Sequence, residues 1–375
     1  MSYSRFYLTS PFNILFVIVV SMFFMNLVVL GESWEWGHNV FLSGILVFLL
    51  SYSVFTLVLG GGKWDPLLME VGSAEAPRGV IFFYWFLALT GLVLSCYRIY
   101  KFGINGPLEG GVLFNLRYVY VWGNESNYGA QHFSLFGLCL ALYYAQNKRL
   151  LLCLLSGGIY LVSALSLAER TSVLFLFVSV AYTLFYIGWV RLKGLLVFFI
   201  GLVLIFCIIA VATGRAGGDK GFDFLYTYFG YAVTAFSHWL GGQAGKGCAD
   251  LVVGKVIDLI SLGTYSCSPF DIGFADGDFN VLTYASSPYL VGGVGVVITC
   301  MTLLGFWYAL LRHWACMKGG YFLALLSCYV YALVMVFYAW QFTLTTYFYV
   351  GVILWPLFYG GRLTLSKRYY DEGEP

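Results

Sequence analysis

The feature that most constrains this chain is a series of apolar segments, each about 20 residues long. The candidate segments are 12–31, 39–60, 79–100, 131–147, 150–168, 171–190, 194–213, 288–311, 319–338 and 341–360. An α-helix of this length crosses the roughly 30 Å hydrocarbon layer of a bilayer, whereas strands of a membrane barrel alternate polar and apolar residues. The sequence therefore predicts an all-α, polytopic integral membrane protein with about ten transmembrane helices in a single transmembrane domain, 1–375.

Composition agrees with this class and excludes others. Hydrophobic residues make up 61% of the chain and charged residues only 10%, which is more apolar surface than one soluble core can bury. The net charge of +2 comes without a basic run, so we exclude a nucleic-acid partner. The first apolar segment is followed by Glu32 and Glu35 rather than by a small-residue cleavage site, and we expect it to remain as the first helix.

Charge distribution sets the expected orientation. If the N-terminus is inside, the inner loops and tails hold 12 of the 20 Lys and Arg residues, which predicts that both termini are cytoplasmic. The two longest connections, 101–130 and 214–287, then form a smaller and a larger loop on the outer face. Apolar residues recur at helical spacing in 221–240, so we expect an amphipathic helix near the outer interface, either as part of a site or only as a cap on the bundle.

The larger loop also contains candidates for covalent and metal chemistry. Cys248 and Cys267 both lie on the predicted oxidising side, and a disulfide between them would stabilise the loop by about 3 kcal/mol. The Asp276-Gly277-Asp278 triplet either holds a divalent ion on a sugar nucleotide or is a solvated turn. Its outer location favours the turn, because sugar nucleotides are cytoplasmic. The four histidines include no i, i+4 pair and no C-x-x-C occurs, so we expect no metal and no other cofactor.

A few polar residues at the outer ends of the apolar segments are candidates for substrate binding. The Glu169-Arg170 pair occupies a tight hinge at the membrane boundary, where Arg170 either binds a phosphate bidentately, pairs with Glu169 or reaches lipid headgroups. Arg215, at the start of the larger loop, is a second phosphate candidate and Arg117 a third. His238 is either a base beside a sugar hydroxyl or an interfacial packing residue.

Four segments together resemble a known family of membrane enzymes. They are LFNLRYVYVWG, LSLAERTSVLF, YFGYAVTAFSHWL and FNVLTYASSPYLVGGVGVVI, and the last has an Asn-Val-x-Thr-Tyr entry into a Gly-rich membrane segment. In this layout the chain resembles the Wzy-type O-antigen polymerases, which are oligosaccharide-repeat-unit polymerases of bacterial inner membranes.

The resemblance implies a metal-independent glycosyltransferase. Such an enzyme transfers a polymer linked to undecaprenyl pyrophosphate onto the sugar of a new lipid-linked repeat unit, at the periplasmic face. Its partners are the bilayer and undecaprenyl-pyrophosphate-linked glycans, and the resemblance leaves open whether a chain-length regulator also binds. The implied substrate-binding residues are Arg170, Arg215, Arg117 and Asn280. The candidates for acceptor-side catalysis are His238, Asp278 and Tyr284.

Two other functions compete with this interpretation, and a purely structural membrane protein is a third possibility, although it would leave the long loop unexplained. A related O-antigen ligase has similar architecture and chemistry. A polysaccharide transporter or flippase is less favoured, because the acidic residues lie in loops, in tails or at span ends, where they cannot couple ions inside the membrane.

Overall fold

The structure, a computed structural model, describes residues 8–59, 76–106, 108, 111–122, 129–168, 170–194, 231–242, 283–336 and 347–359, with five positions between 197 and 208. Every regular element in these residues is a helix. The prediction of an all-α protein is therefore confirmed for the described part of the chain.

Eleven of these helices are numbered here in chain order. Two of them, α1 and α3, continue into a wider π-helical turn. The bounds are α1 Pro11–Phe23 (π-turn Phe24–Val29), α2 Trp36–Val58, α3 Arg78–Arg98 (π-turn Ile99–Ile104), α4 Val112–Trp122, α5 Ala130–Gln146, α6 Leu150–Ser166, α7 Arg170–Tyr186, α8 Ala232–Gly242, α9 Ser286–Lys318, α10 Gly320–Val334 and α11 Tyr347–Tyr359.

Within the described residues, four helical segments are long and apolar enough to cross a membrane: Pro11–Val29, Trp36–Val58, Arg78–Ile104 and Ser286–Lys318. The apolar helices α6, α7, α10 and α11 are shorter than this. The total of about ten spans stays a prediction, and most of the predicted segment 194–213 lies outside the described residues.

The bundle has two ends, which its polar contacts identify. At one end the Arg312 Nη1 donates to the Tyr52 hydroxyl at 2.7 Å, and that hydroxyl is 3.3 Å from the Ser10 hydroxyl. Tyr321 is the second residue of α10, which begins shortly after α9 ends. Its ring lies 5.7 Å from the ring of Tyr359, the last residue of α11. Both described chain ends therefore lie here, at what we call the proximal end, and the opposite end is the distal end. Which end faces the cytoplasm stays a prediction.

Helices α2 and α9 run in the same direction and pack closely through glycine. A Cβ atom on Gly305 would lie 2.7 Å from the Phe48 carbonyl oxygen, so only glycine allows this approach. The Ser51 hydroxyl uses the proximity to donate to the Thr302 carbonyl oxygen at 2.8 Å. Small residues at such interfaces bring helix backbones together where no hydrophobic effect drives association.

Helix α5 lies at the centre of the bundle. Every residue from Gly137 to Gln146 is buried, as expected for a helix surrounded by others. Its neighbours are α3, where Trp85 Nε1 donates to the Tyr144 hydroxyl at 2.9 Å, and α6, whose backbone leaves no room for a side chain at Gly137. The predicted segment 131–147 is thus an interior helix.

Helix α9 extends beyond the predicted segment 288–311. The predicted segment ends just before Arg312, but the helix continues to Lys318 and Arg312 is buried within it. Its hydrogen bond to Tyr52 gives a partner to a buried N–H group of the guanidinium. Burying that group without a partner would cost free energy. Near its start the helix is broken at Gly292–Gly293, and the φ of +65° at Gly293 favours glycine.

Large apolar side chains point outward along the bundle. On α3 the most exposed is Phe82, at 76%. Exposed apolar surface on this scale marks contact with an apolar medium, which for a helical bundle of this composition is the lipid bilayer. Other strongly exposed side chains are Leu50, Leu57, Phe86, Val93 and Leu151.

Candidate functional site

A polar network at the distal end joins the turn between α1 and α2 to α8. Helix α8 is the described part of the predicted amphipathic helix 221–240, and it extends two residues further, to Gly242. Its apolar side chains Val233, Phe236 and Trp239 are fully buried. The helix therefore packs into the end of the bundle against the start of α2.

The π-turn at the end of α1 presents the buried Asn26 to this network. Asn26 Nδ2 donates to the Thr234 hydroxyl of α8 at 2.9 Å. Its Oδ1 is 2.9 Å from Nε2 of the buried His38. π-Helical turns often occur at functional sites, because they redirect a side chain out of the regular helical ladder.

The hydrogen bonds of His38 determine its tautomer. The backbone N–H of Glu35 donates to Nδ1 of His38 at 3.1 Å, so that nitrogen must be an acceptor. In a neutral imidazole the other nitrogen then carries the proton, and Nε2 donates to Asn26 Oδ1. The ring is held between Trp34, with centroids 5.3 Å apart, and Phe23, at 5.9 Å. His38 is thus a fixed structural link.

Two titratable side chains of this network that reach solvent are Glu35 and His238. Glu35 stands at the N-cap of α2, and its Oε1 is 3.4 Å from His238 Nε2. The side chains are 32% and 40% exposed, respectively, so a substrate in the aqueous phase has access to both. The Tyr231 hydroxyl lies 3.4 Å from His238 Nδ1 on the other side of the ring. A carboxylate–imidazole pair of this kind supports proton transfer.

A second feature of the distal end is the buried Arg98. Its Nε donates to the carbonyl oxygen of Ser166, the last residue of α6, at 3.1 Å. The guanidinium carbon also lies 5.5 Å from the centre of the Phe102 ring in the adjoining π-turn. Arg98 therefore holds α3 against the hinge between α6 and α7. That hinge contains Ala168 at a φ of +51°, a strained conformation for a residue with a side chain.

The helix that carries Arg117 packs on the same hinge. Leu116 and Val119 of α4 bury their side chains against Phe102 and Ala168. Asn115 fixes the start of α4 by hydrogen bonds to three backbone groups of the preceding segment, at 2.9–3.1 Å. The structure thus brings α4, Arg98 and the hinge together at one end of the bundle.

The structure locates only some of the predicted site residues. His238 lies in the distal network, and Arg117 is half-buried on α4. Arg170 is the first residue of α7, although its side chain lies outside the described residues. The other predicted positions outside the described residues are Arg215, Cys248, Cys267, Asp278 and Asn280.

Tyr284 occupies an interior position. It is fully buried, its hydroxyl donates to the Phe41 carbonyl oxygen at 2.6 Å, and its ring lies 5.1 Å from the Phe41 ring. Gly44 provides the space, because a Cβ atom there would lie 3.1 Å from the phenol ring. These contacts anchor the start of α9 to α2, and a catalytic role for Tyr284 stays a prediction.

Four residues of the distal network were not predicted as site residues from the sequence: Asn26, Glu35, His38 and Thr234. A signal for two of them was present, because Asn26 and His38 are polar residues inside or beside apolar segments, where such residues usually have a function. Arg98, near the end of another apolar segment, carries the same signal.

Among the described residues, no group of three or more His, Cys, Asp or Glu side chains is placed to hold a metal ion. Asp276 and Asp278 lie outside them, so the expectation of a metal-free site stays a prediction. No protein-family model, curated protein or solved structure matches this chain.

Proposed function

We propose that this chain is a glycosyltransferase that polymerises undecaprenyl-pyrophosphate-linked oligosaccharide repeat units into O-antigen or a related surface polysaccharide. The distal end would face the periplasm of a bacterial inner membrane, in keeping with the Lys and Arg excess at the proximal side. The resemblance of four segments to the Wzy-type polymerases supports this assignment.

The observation that carries the proposal is that a histidine–carboxylate pair and several arginine residues lie at the same end of the bundle. A partly exposed histidine–carboxylate pair, His238 and Glu35, shares this end with Arg98 at the end of α3, Arg170 at the start of α7 and Arg117 in the middle of α4. A glycosyl transfer from a pyrophosphate carrier needs these two functions. One is a base for the acceptor hydroxyl, and the other is positive charge for the departing pyrophosphate.

The proposed reaction proceeds in one transfer. The acceptor hydroxyl gives its proton to His238 while its oxygen forms a bond to the anomeric carbon of the donor. The bond between that carbon and the pyrophosphate oxygen breaks, and its electron pair leaves with undecaprenyl pyrophosphate. Arg170, with Arg215 and Arg117, stabilises the negative charge on that leaving group. Arg98 is fully buried and acts through the hinge that it holds.

Reconstitution tests the proposal directly. Purified protein in a bilayer, supplied with a synthetic lipid-linked repeat unit, should produce a ladder of longer lipid-linked products. The Arg170→Ala variant should remain in the membrane and lose chain growth. Arg78→Ala, which removes an exposed arginine at the proximal start of α3, serves as the matched control and should keep it. Wild-type chain lengths in Arg170→Ala would refute the assignment of Arg170.

The same experiments separate the competing functions. In a complementation assay, loss of a polymerase leaves single repeat units attached to the lipid A core, whereas loss of a ligase leaves none attached. Movement of the lipid-linked sugar across the reconstituted bilayer, without any longer product, would show that the protein is a transporter and not a polymerase.

A further inference from the structure

Helix α8 is attached to the start of the bundle at two points that lie one helical turn apart. Thr234 accepts a hydrogen bond from Asn26, and His238 faces Glu35 at 3.4 Å. Residues at i and i+4 share one face of a helix, so both attachments restrain the same face of α8. The helix cannot rotate about its axis without breaking both.

A third contact removes the remaining freedom. Gly37 of α2 lies so close to Ser237 that a Cβ atom on the glycine would be 2.7 Å from the serine Cα. The backbones of α2 and α8 are therefore in direct contact between the two attachments. His238 follows Ser237 directly, so its imidazole is held by a rigid segment of backbone.

Glu35 is itself fixed on the side away from His238. Its backbone N–H donates to His38 Nδ1, and His38 Nε2 donates to Asn26. The carboxylate Oε1 lies 3.4 Å from His238 Nε2, and both side chains are partly exposed. A carboxylate this close to an imidazole can set its tautomer, because the ring nitrogen that faces the carboxylate carries the proton.

We propose that Glu35 is the positioning residue for His238, a role that rests on the proposed function insofar as the acceptor is a sugar hydroxyl. The carboxylate accepts the Nε2–H of His238, which leaves the lone pair on Nδ1 directed towards Tyr231 and the incoming hydroxyl. When that hydroxyl is deprotonated, its proton goes to Nδ1, and the resulting imidazolium is stabilised by the negative charge of Glu35. Two titratable groups of the described residues face His238: Glu35 from the start of α2 and Tyr231 from the residue before α8.

The inference is tested by nitrogen-15 NMR of histidine-labelled protein in nanodiscs, with pH titration of the ring signals. The His238 signal is assigned as the one that disappears in His238→Ala. In Glu35→Gln the titration midpoint of His238 should move to lower pH by about 0.2–0.7 units, the size expected for a partly exposed charge pair. In Glu35→Asp, whose shorter side chain remains a good helix cap, the midpoint should fall between those of wild type and Glu35→Gln.

The matched control is Glu32→Gln, which removes a neighbouring carboxylate from the same turn. It should leave the His238 midpoint at the wild-type value. The His38 signal reports whether the start of α2 is intact, because its Nδ1 bond uses the Glu35 backbone and survives each substitution. An unchanged midpoint in Glu35→Gln, or an equal shift in Glu32→Gln, would overturn the role of Glu35. If Glu35→Gln loses the wild-type His38 signal, the start of α2 is disturbed in that variant. The His238 titration midpoint in Glu35→Asp then decides the role of Glu35.

This readout is independent of polymer formation. If the midpoint moves as expected and the reconstituted wild-type protein makes no polymer, the proposed function fails and the positioning role of Glu35 stands. If polymer forms and the midpoint does not move, the positioning role fails alone. Where both hold, Glu35→Gln should also slow chain growth and move the low-pH limb of its pH profile in the same direction as the NMR midpoint.

Discussion

The close approach of α8 to α2 makes a quantitative prediction for the Gly37→Ala substitution. The added Cβ would lie 2.7 Å from the Ser237 Cα and 2.8 Å from its backbone nitrogen. These are backbone atoms, so no side-chain rotation relieves the overlap and α8 must move as a whole. Overpacking of this kind typically costs about 1–3 kcal/mol.

The cost falls on the docking of α8, which can move outward while the bundle stays intact. We therefore expect the free energy of local opening of 232–242 to drop by about 1–3 kcal/mol. At 1.4 kcal/mol per factor of ten, amide hydrogen exchange in this helix should become about 5- to 140-fold faster. Hydrogen-exchange mass spectrometry of the protein in nanodiscs measures this change peptide by peptide.

A matched control separates the contact from the general effect of replacing glycine by alanine. A Cβ on Gly158, in α6, meets no atom within 4 Å. Gly158→Ala should therefore leave exchange in 232–242 unchanged, and helix propensity favours it locally. Wild-type exchange rates for α8 in Gly37→Ala would refute the docking of α8 on α2 and, with it, the rigid placement of His238.

Three further predictions follow from single sites. Asn115→Ala removes three hydrogen bonds that fix α4, which should cost about 1–3 kcal/mol and speed proteolysis of the 105–122 segment. Tyr284→Phe loses one buried hydrogen bond, so we expect the free energy of unfolding to fall by about 1 kcal/mol. Chain growth should be preserved if Tyr284 is only structural. Loss of chain growth in the intact protein would support its catalytic role. Mass spectrometry of unreduced protein should find Cys248 linked to Cys267, and two free thiols in protein extracted under native conditions would exclude that disulfide.

Helix placement follows largely from local sequence. The predicted segments 39–60, 79–100 and 150–168 correspond to α2, α3 and α6 within a few residues at each end. This agreement has a simple cause, since the apolar character of a segment is a sum over neighbouring residues and needs no knowledge of its partners. The end of α9 could not be predicted in this way, because Arg312 looks like a loop residue until its contact with Tyr52 is known.

The candidate site depends on contacts that no local pattern contains. His238 was selected from sequence as the histidine of the larger loop, but Glu35, its partner, is 203 positions away along the chain. The link from Asn26 to Thr234 spans 208 positions. Neither pairing has a periodic or motif signal, because each arises only when α8 packs on the start of α2.

What the sequence alone determined is the all-helical class of the protein and the approximate position of most of its apolar helices, since hydropathy and charge act residue by residue; it did not predict α4, which lies in the predicted loop 101–130. The tertiary structure decided which helices are interior, where Arg98 and Arg312 are buried, and which polar groups meet at the distal end. The physical reason is that a buried polar side chain must find a hydrogen-bond partner, and the identity of that partner is fixed by packing in three dimensions. His238 became a candidate from its position in the sequence, and its pairing with Glu35 emerged only from the fold.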